Sequence, residues 1–257
     1  MSITWALDAG DGLRGVGIDA MVPAASTVKP LIAIALWQEA QAGRIDPDEF
    51  VSDGYQLAGG NSLVDALPGI RLRIRDAAAL MLAVSDNTTS NLLLDRLGFD
   101  RVNAVAAALG LQATSLGRRF MDAAAVERGD ENWTSAGDLV RVLRALIVPG
   151  QLADDVRLPV LDGLAASQHL DILGEVVPEQ QLLAVKAGWH EQALHDSGLI
   201  GPPAVAKWPR GHLANWPGGR LAIWPDAPLA FAICSSPPAS KDALRATARS
   251  VLEPFLI

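Results

Sequence analysis

Three short stretches carry side chains suited to chemistry: "STVK" at 26–29, "SDN" at 85–87 and "KAG" at 186–188. In the first, Ser26 and Lys29 are spaced i, i+3. A helix start would place both on one face, and its dipole favours negative charge developing near the serine. A hydroxyl is a weak nucleophile until a base takes its proton, and a lysine kept partly neutral by burial or by a neighbouring cation can be that base. Singly, each stretch also has a plain structural reading. Ser26 can cap a helix while Lys29 snorkels, "SDNTT" is an ordinary capping sequence, and a lysine ending a strand is usually solvated. The run that follows Ser26, "LIAIALWQEA", asks for more, because a lysine on so apolar a helix needs polar partners.

The elements that must position these residues follow from periodicity. "ITWALDA" and "GVGIDAM" read as strands of a hairpin turning at "GDG". From Thr27 to about Pro178 the pattern is helical: "VKPLIAIALWQEAQAG" closing at Gly43, "IRDAAALMLAV", "TTSNLLLDRLG" closing at Gly98, "DRVNAVAAALG" closing at Gly110, and "TSAGDLVRVLRALIV" before Pro149. Strand character returns in "QQLLAVKAG", "HDSGLIG", "GRLAIWP" and "PLAFAICSS", and "SKDALRATARSVLEPFL" is a last amphipathic helix. The expected class is α/β (α+β), an antiparallel sheet with flanking helices and an inserted all-helical domain. Its domains would be 1–25 with 180–257, forming the sheet, and 26–179, all helical, with the site at their interface. Ser85-Asp86-Asn87 then falls in a short loop between two helices, and Lys186 near the end of an apolar strand.

Composition narrows the function. The chain has 257 residues, half of them apolar, with 21 basic and 29 acidic side chains and a net charge of −8, and no basic run suggests nucleic acid or a membrane surface as partner. The first residues show no positive n-region or apolar h-region, so the expected location is the cytoplasm, or outside the cell if this is a trimmed mature form. Cys234, the lone cysteine, lies in "LAFAIC" and reads as a small buried hydrophobe.

Taken in order, S-x-x-K, S-D-N and K-x-G resemble the active-site motifs of the class A β-lactamases and related penicillin-binding proteins. Each occurs once here, at intervals similar to the family's. The resemblance runs from Ile3 to the last helix and implies a β-lactamase-like fold and a serine hydrolase acting on a lactam, amide or ester. Carried over, Ser26 would be the acylated nucleophile, Lys29 a proton acceptor beside it, and Ser85 a relay to the leaving nitrogen. Asn87 would bind the substrate amide and Lys186 would supply positive charge. Substrate would run along Ala187, Gly188 and Trp189, with the oxyanion held by the N–H groups of Ser26 and Trp189. It implies a small-molecule substrate and no cofactor.

The sequence departs from that family in three places. The E-x-x-L-N pattern that activates the deacylating water is missing from "LGRRFMDAAAVERGDENWTSAGD", where Asp122 is the nearest candidate carboxylate, with an arginine-paired structural role as its other reading. The hydroxyl of K-T-G is replaced by Ala187. The sequence as given starts on its first strand, without the family's secretion signal and long N-terminal helix. These departures raise a slow-deacylating D,D-peptidase-like acyltransferase as the second reading, and a non-catalytic binding protein of the same fold as the third. His190, Glu191, His195 and Asp196 invite a metal reading, but a five-residue spacing across a strand-turn-strand does not bring both imidazoles to one side. Trp189, Trp208, Trp216 and Trp224 are expected in core packing more than in an aromatic pocket.

Overall fold

The protein is described by a computed structural model covering residues 2–51, 57–67, 69–203 and 228–256. Strand β1 (Ser2–Asp8) turns back into β2 (Arg14–Val16), with Trp5 opposite Val16. The hairpin is shorter than its sequence suggests. Gly17, at φ +60°, takes the chain away from β1, and a Cβ there would lie 2.7 Å from Thr4 Cγ2. After β3 (Val22–Pro23) come the helices α1 (Lys29–Gln41), α2 (Ile74–Ala83), α3 (Asn87–Leu97), α4 (Phe99–Ala108) and α5 (Ala123–Glu127). Strand β4 (Trp133–Thr134) pairs with β3, and α6 (Ala136–Ile147), α7 (Asp154–Ala165) and α8 (Leu173–Val176) follow. The long strands β5 (Gln181–His190), β6 (Ala193–Pro203) and β7 (Leu229–Ser236) and helix α9 (Lys241–Leu252) complete the described elements. The expected strand "GRLAIWP", together with Trp208, Trp216 and Trp224, lies outside the described residues.

The main sheet has the order β2-β1-β7-β6-β5, with antiparallel neighbours throughout. Both of its faces are covered, which is why β7 is a continuous apolar run. Ala230, Ala232 and Cys234 face one core, with α1, α6 and α7, whereas Leu229, Phe231 and Ile233 face the other, under α8 and α9. The small side chains on the first face let helices lie close to the sheet. Helix α1 sits in the middle of that larger core: Leu31, Ile32, Ala33, Ile34, Ala35 and Leu36 are all buried, so it is apolar all round. Its C-terminus is closed by Gly43 at φ +70°.

Helix α7 was not apparent from periodicity, because Pro159 lies inside it. Tertiary packing decides the matter. Val156, Val160, Leu161 and Leu164 are buried, and Gly163 lets α7 close on α2, since a Cβ there would lie 2.6 Å from Leu82 Cδ1. No helix among the described residues is long and apolar enough to cross a membrane.

Candidate active site

Ser26 sits in a 3-10 turn, Ala25–Val28, that runs directly into α1. The turn is pinned: Thr27 Oγ1 donates to Ala24 O at 2.6 Å, and Ala24 N–H donates to Asn132 O at 2.7 Å. Ser26 does not cap the helix. The cap position belongs to Val28, with no side-chain bond, which removes the plain reading of the serine.

Lys29 opens α1 and is fully buried. Its Nζ donates to Ser85 O at 2.8 Å, Asn87 Oδ1 at 2.9 Å and Ser85 Oγ at 3.2 Å, and lies 4.5 Å from the centre of the Phe120 ring. Lys186, at the far side of the same hydroxyl, is also fully buried and donates to Ser85 Oγ at 3.0 Å and Ala187 O at 2.8 Å. Among the described residues neither ammonium has a carboxylate within ion-pair distance. Burial therefore dominates both: it holds Lys29 well below the usual lysine range, helped by the charge of Lys186, and brings Lys186 down to about 7, partly offset by Asp196. Asp196, buried on β6 and held by the N–H groups of Leu173 and Ser197 at 2.9 Å each, is itself raised to about 7 by burial.

Ser85 is held in the left-handed region, φ +58°, between α2 and α3. Its neighbour Asp86 is structural. One oxygen accepts from Thr89 N–H, capping α3, at 2.9 Å and from Ser62 Oγ at 3.1 Å, and the other from Val64 N–H at 3.0 Å. Ala25 and Met121 are the other non-glycine residues at positive φ, 48° and 62°, and all three border one cleft.

That cleft holds about 310 Å³ and is lined by Ser26, Ser85, Asn87, Ala187, Gly188 and Trp189. Gly188 is where β5 meets the nucleophile's turn. A Cβ there would lie 2.8 Å from Ser26 N and 2.9 Å from Thr27 N, so only glycine lets the strand approach. The structure thus brings Ser26, Lys29, Ser85, Asn87 and Lys186 to one cleft. The hydrogen bonds link the last four, while Ser26 Oγ makes none among the described residues. Asp122 is placed elsewhere. It caps α5 through Ala125 N–H at 2.9 Å and lines a smaller pocket beyond Phe120 and Met121. It is also not arginine-paired, since Arg118 binds Glu131 and Arg119 binds Asp95. Trp189, expected in a core, is 66% exposed at the rim. Sequence reasoning missed His169, Phe120 and Met121 as wall residues, and no motif marks them. His195 is buried and spends both ring nitrogens, Nε2 on Pro23 O at 2.7 Å and Nδ1 on Ser235 N–H at 3.2 Å. Cys234 is buried and its thiol is pushed up by burial.

A helical segment and a five-stranded antiparallel sheet with a serine, two buried lysines and a second serine at one cleft define a protein of the serine acyl-enzyme type. Residues 3–207 match the model of the beta-lactamase enzyme family, and the chain belongs to that family. The β-lactamase of Sphaerobacter thermophilus superposes with a TM-score of 0.82 at 24% identity, over 98% of this chain and 91% of that one. PBP-A gives 0.80 at 21% identity, over 99% and 89%, and an ancestral class A β-lactamase 0.79 at 22%, over 99% and 94%. No curated protein sequence matches significantly.

Proposed function

We propose that the protein is a serine hydrolase of the β-lactamase type that opens a lactam, amide or ester through an acyl-Ser26 intermediate. The observation that carries this reading is the convergence of two fully buried lysines on Ser85 Oγ, at 3.2 and 3.0 Å, on the cleft that Ser26 lines. Two ammonium groups sharing one hydroxyl in a buried site favour loss of a proton from one of them, and Lys29, the more depressed, is the base. Ser26 Oγ attacks the carbonyl carbon, its proton passes to Lys29, and Ser85 delivers a proton to the leaving nitrogen or oxygen as that bond breaks. The oxyanion lies between the N–H groups of Ser26 and Trp189, which the Gly188 approach brings side by side. Lys186 supplies positive charge to the leaving-group side, and Asn87 meets a substrate amide once its Oδ1 bond to Lys29 is shared.

Deacylation is the slow half. Glu191 is the only carboxylate among the described residues lining the cleft, and Asp122 lies beyond Met121. This favours a protein that accumulates acyl-enzyme. A solved PBP-A variant, similar in fold, is an acyl-enzyme complex with penicillin G. Mixing with a penicillin should give a burst of one product equivalent followed by a slow steady state, and an intact-mass adduct that maps to Ser26 and is lost in Ser26→Ala. An adduct on another serine, or reversible binding without an adduct, would remove the acyl-Ser26 reading.

A further inference from the structure

His190 differs from the other described histidines in what its ring touches. In His195 both nitrogens are engaged, and in His169 Nε2 lies 3.0 Å from Val84 O. In His190, Nδ1 accepts the Gln192 N–H at 3.0 Å, which fixes the neutral ring as the Nε2–H tautomer. That Nε2–H is buried and has no hydrogen-bond partner among the described residues. A sealed donor without an acceptor is costly and calls for a partner.

The neighbouring side chains do not provide one. Glu131, the nearest acid by its influence on the ring, has Oε1 occupied by Arg118 Nε at 2.8 Å, Arg118 Nη2 at 2.7 Å and Asn132 N–H at 2.7 Å. Burial keeps His190 below the usual histidine range; Glu131 and Glu191 favour its protonation and Arg118 opposes it. At neutral pH the ring is therefore an uncharged donor, and with its only lone pair on Gln192 it cannot serve as a base.

Its place in the cleft says what the partner is. His190 directly follows Trp189 on β5 and lines the same cleft as Ser26. The leaving-group end is marked by Ser85 and by His169, which packs on Val84. His190 lies at the other end, against Arg118 and Glu131. An anionic group there would meet Glu131 and Glu191 with one guanidinium between them, so a neutral acceptor suits the site. We infer that His190 is a specificity-determining residue whose Nε2–H receives an uncharged carbonyl oxygen on the acyl portion of the substrate, one group removed from the scissile bond. This rests on the acyl-Ser26 reading for its orientation.

The test compares p-nitrophenyl esters of N-acetylglycine and of pentanoate, acyl chains of equal length with and without the second carbonyl. His190→Leu should lower the acylation efficiency of the acetylglycyl ester about tenfold, the value of one neutral hydrogen bond, and that of the pentanoyl ester less than twofold. His190→Gln, which keeps a donor, should recover part of the loss. Equal losses on both esters, or none on either, would overturn the inference. Nitrogen NMR of the intact Ser26→Ala protein gives a readout that needs neither acylation nor a change at His190. The ring should be the Nε2–H tautomer, and its Nε2 signal should move on addition of N-acetylglycinamide. An Nδ1–H tautomer or an unmoved signal refutes the assignment. If neither ester acylates Ser26 while the NMR signal moves, it is the hydrolase reading that fails.

Discussion

The floor and the rim of the cleft follow opposite rules. On the floor every donor is spoken for: Lys29 has three acceptors, Lys186 two, and Asp86 ties two loops and a helix together. At the rim the side chains are poorly partnered. Trp189 and Met121 are 66% and 56% exposed, and His190 holds a donor with nothing to bind. A saturated floor fixes the geometry of bond breaking, whereas an unsaturated rim leaves binding to be completed by the substrate. Substitutions on the floor should therefore cost rate, and substitutions at the rim should change preference.

The largest effect should come from Lys29→Ala, which removes the base: acylation should fall by about a hundred- to ten-thousand-fold, measured by adduct formation against time. A fall of less than tenfold would move the base role to Lys186. Next is Gly188→Ala, whose methyl would lie 2.8 Å from Ser26 N. Displacing that N–H from the oxyanion should slow acylation about a hundredfold, with a much smaller change in melting temperature. A large loss of stability at unchanged rate would mark the contact as packing alone.

Lys186→Met separates function from stability, because it should lose activity and gain stability. A lysine brought down to about 7 in the fold, against its ordinary 10.5, binds a proton less readily when folded than when unfolded. Between about pH 7 and 10.5 the unfolded chain then holds more protons, so the wild-type protein gains stability as pH rises through that window. The variant lacks this term. Its melting temperature should exceed the wild-type value by several degrees at pH 7 and converge with it near pH 10. The smallest effect belongs to the rim: Trp189→Ala should change stability by less than about 0.5 kcal/mol in thermal melts while altering relative rates among substrates.

The floor was legible in the sequence and the rim was not, for a physical reason. Ser26, Lys29, Ser85, Asn87 and Lys186 must have particular chemistry at particular distances, and such demands leave motifs. Ala25, Ser85 and Met121 adopt left-handed backbone without being glycine, so nothing in their side chains announces the turn. Trp189 was expected inside because it is large and apolar, but its place beside Gly188 on β5 at the sheet edge leaves it outside. In the fold, the helices with clean periodicity were found within a residue or two. Helix α7 was hidden by Pro159, and β2 was cut short at Gly17. In both, long-range packing outweighed the local signal.

The pairing of β1 with β7, Ser2 opposite Ser236 through Asp8 opposite Ala230, joins the two ends of the chain. For a polypeptide leaving the ribosome this sets a timetable. The nucleophile and its lysine emerge early, but β1 cannot find its partner, nor Lys186 its lasting place on a closed sheet, until nearly all of the chain has been made. Nascent chains should carry Ser26 without being able to acylate it, and they leave the apolar side chains of β1 in need of temporary cover.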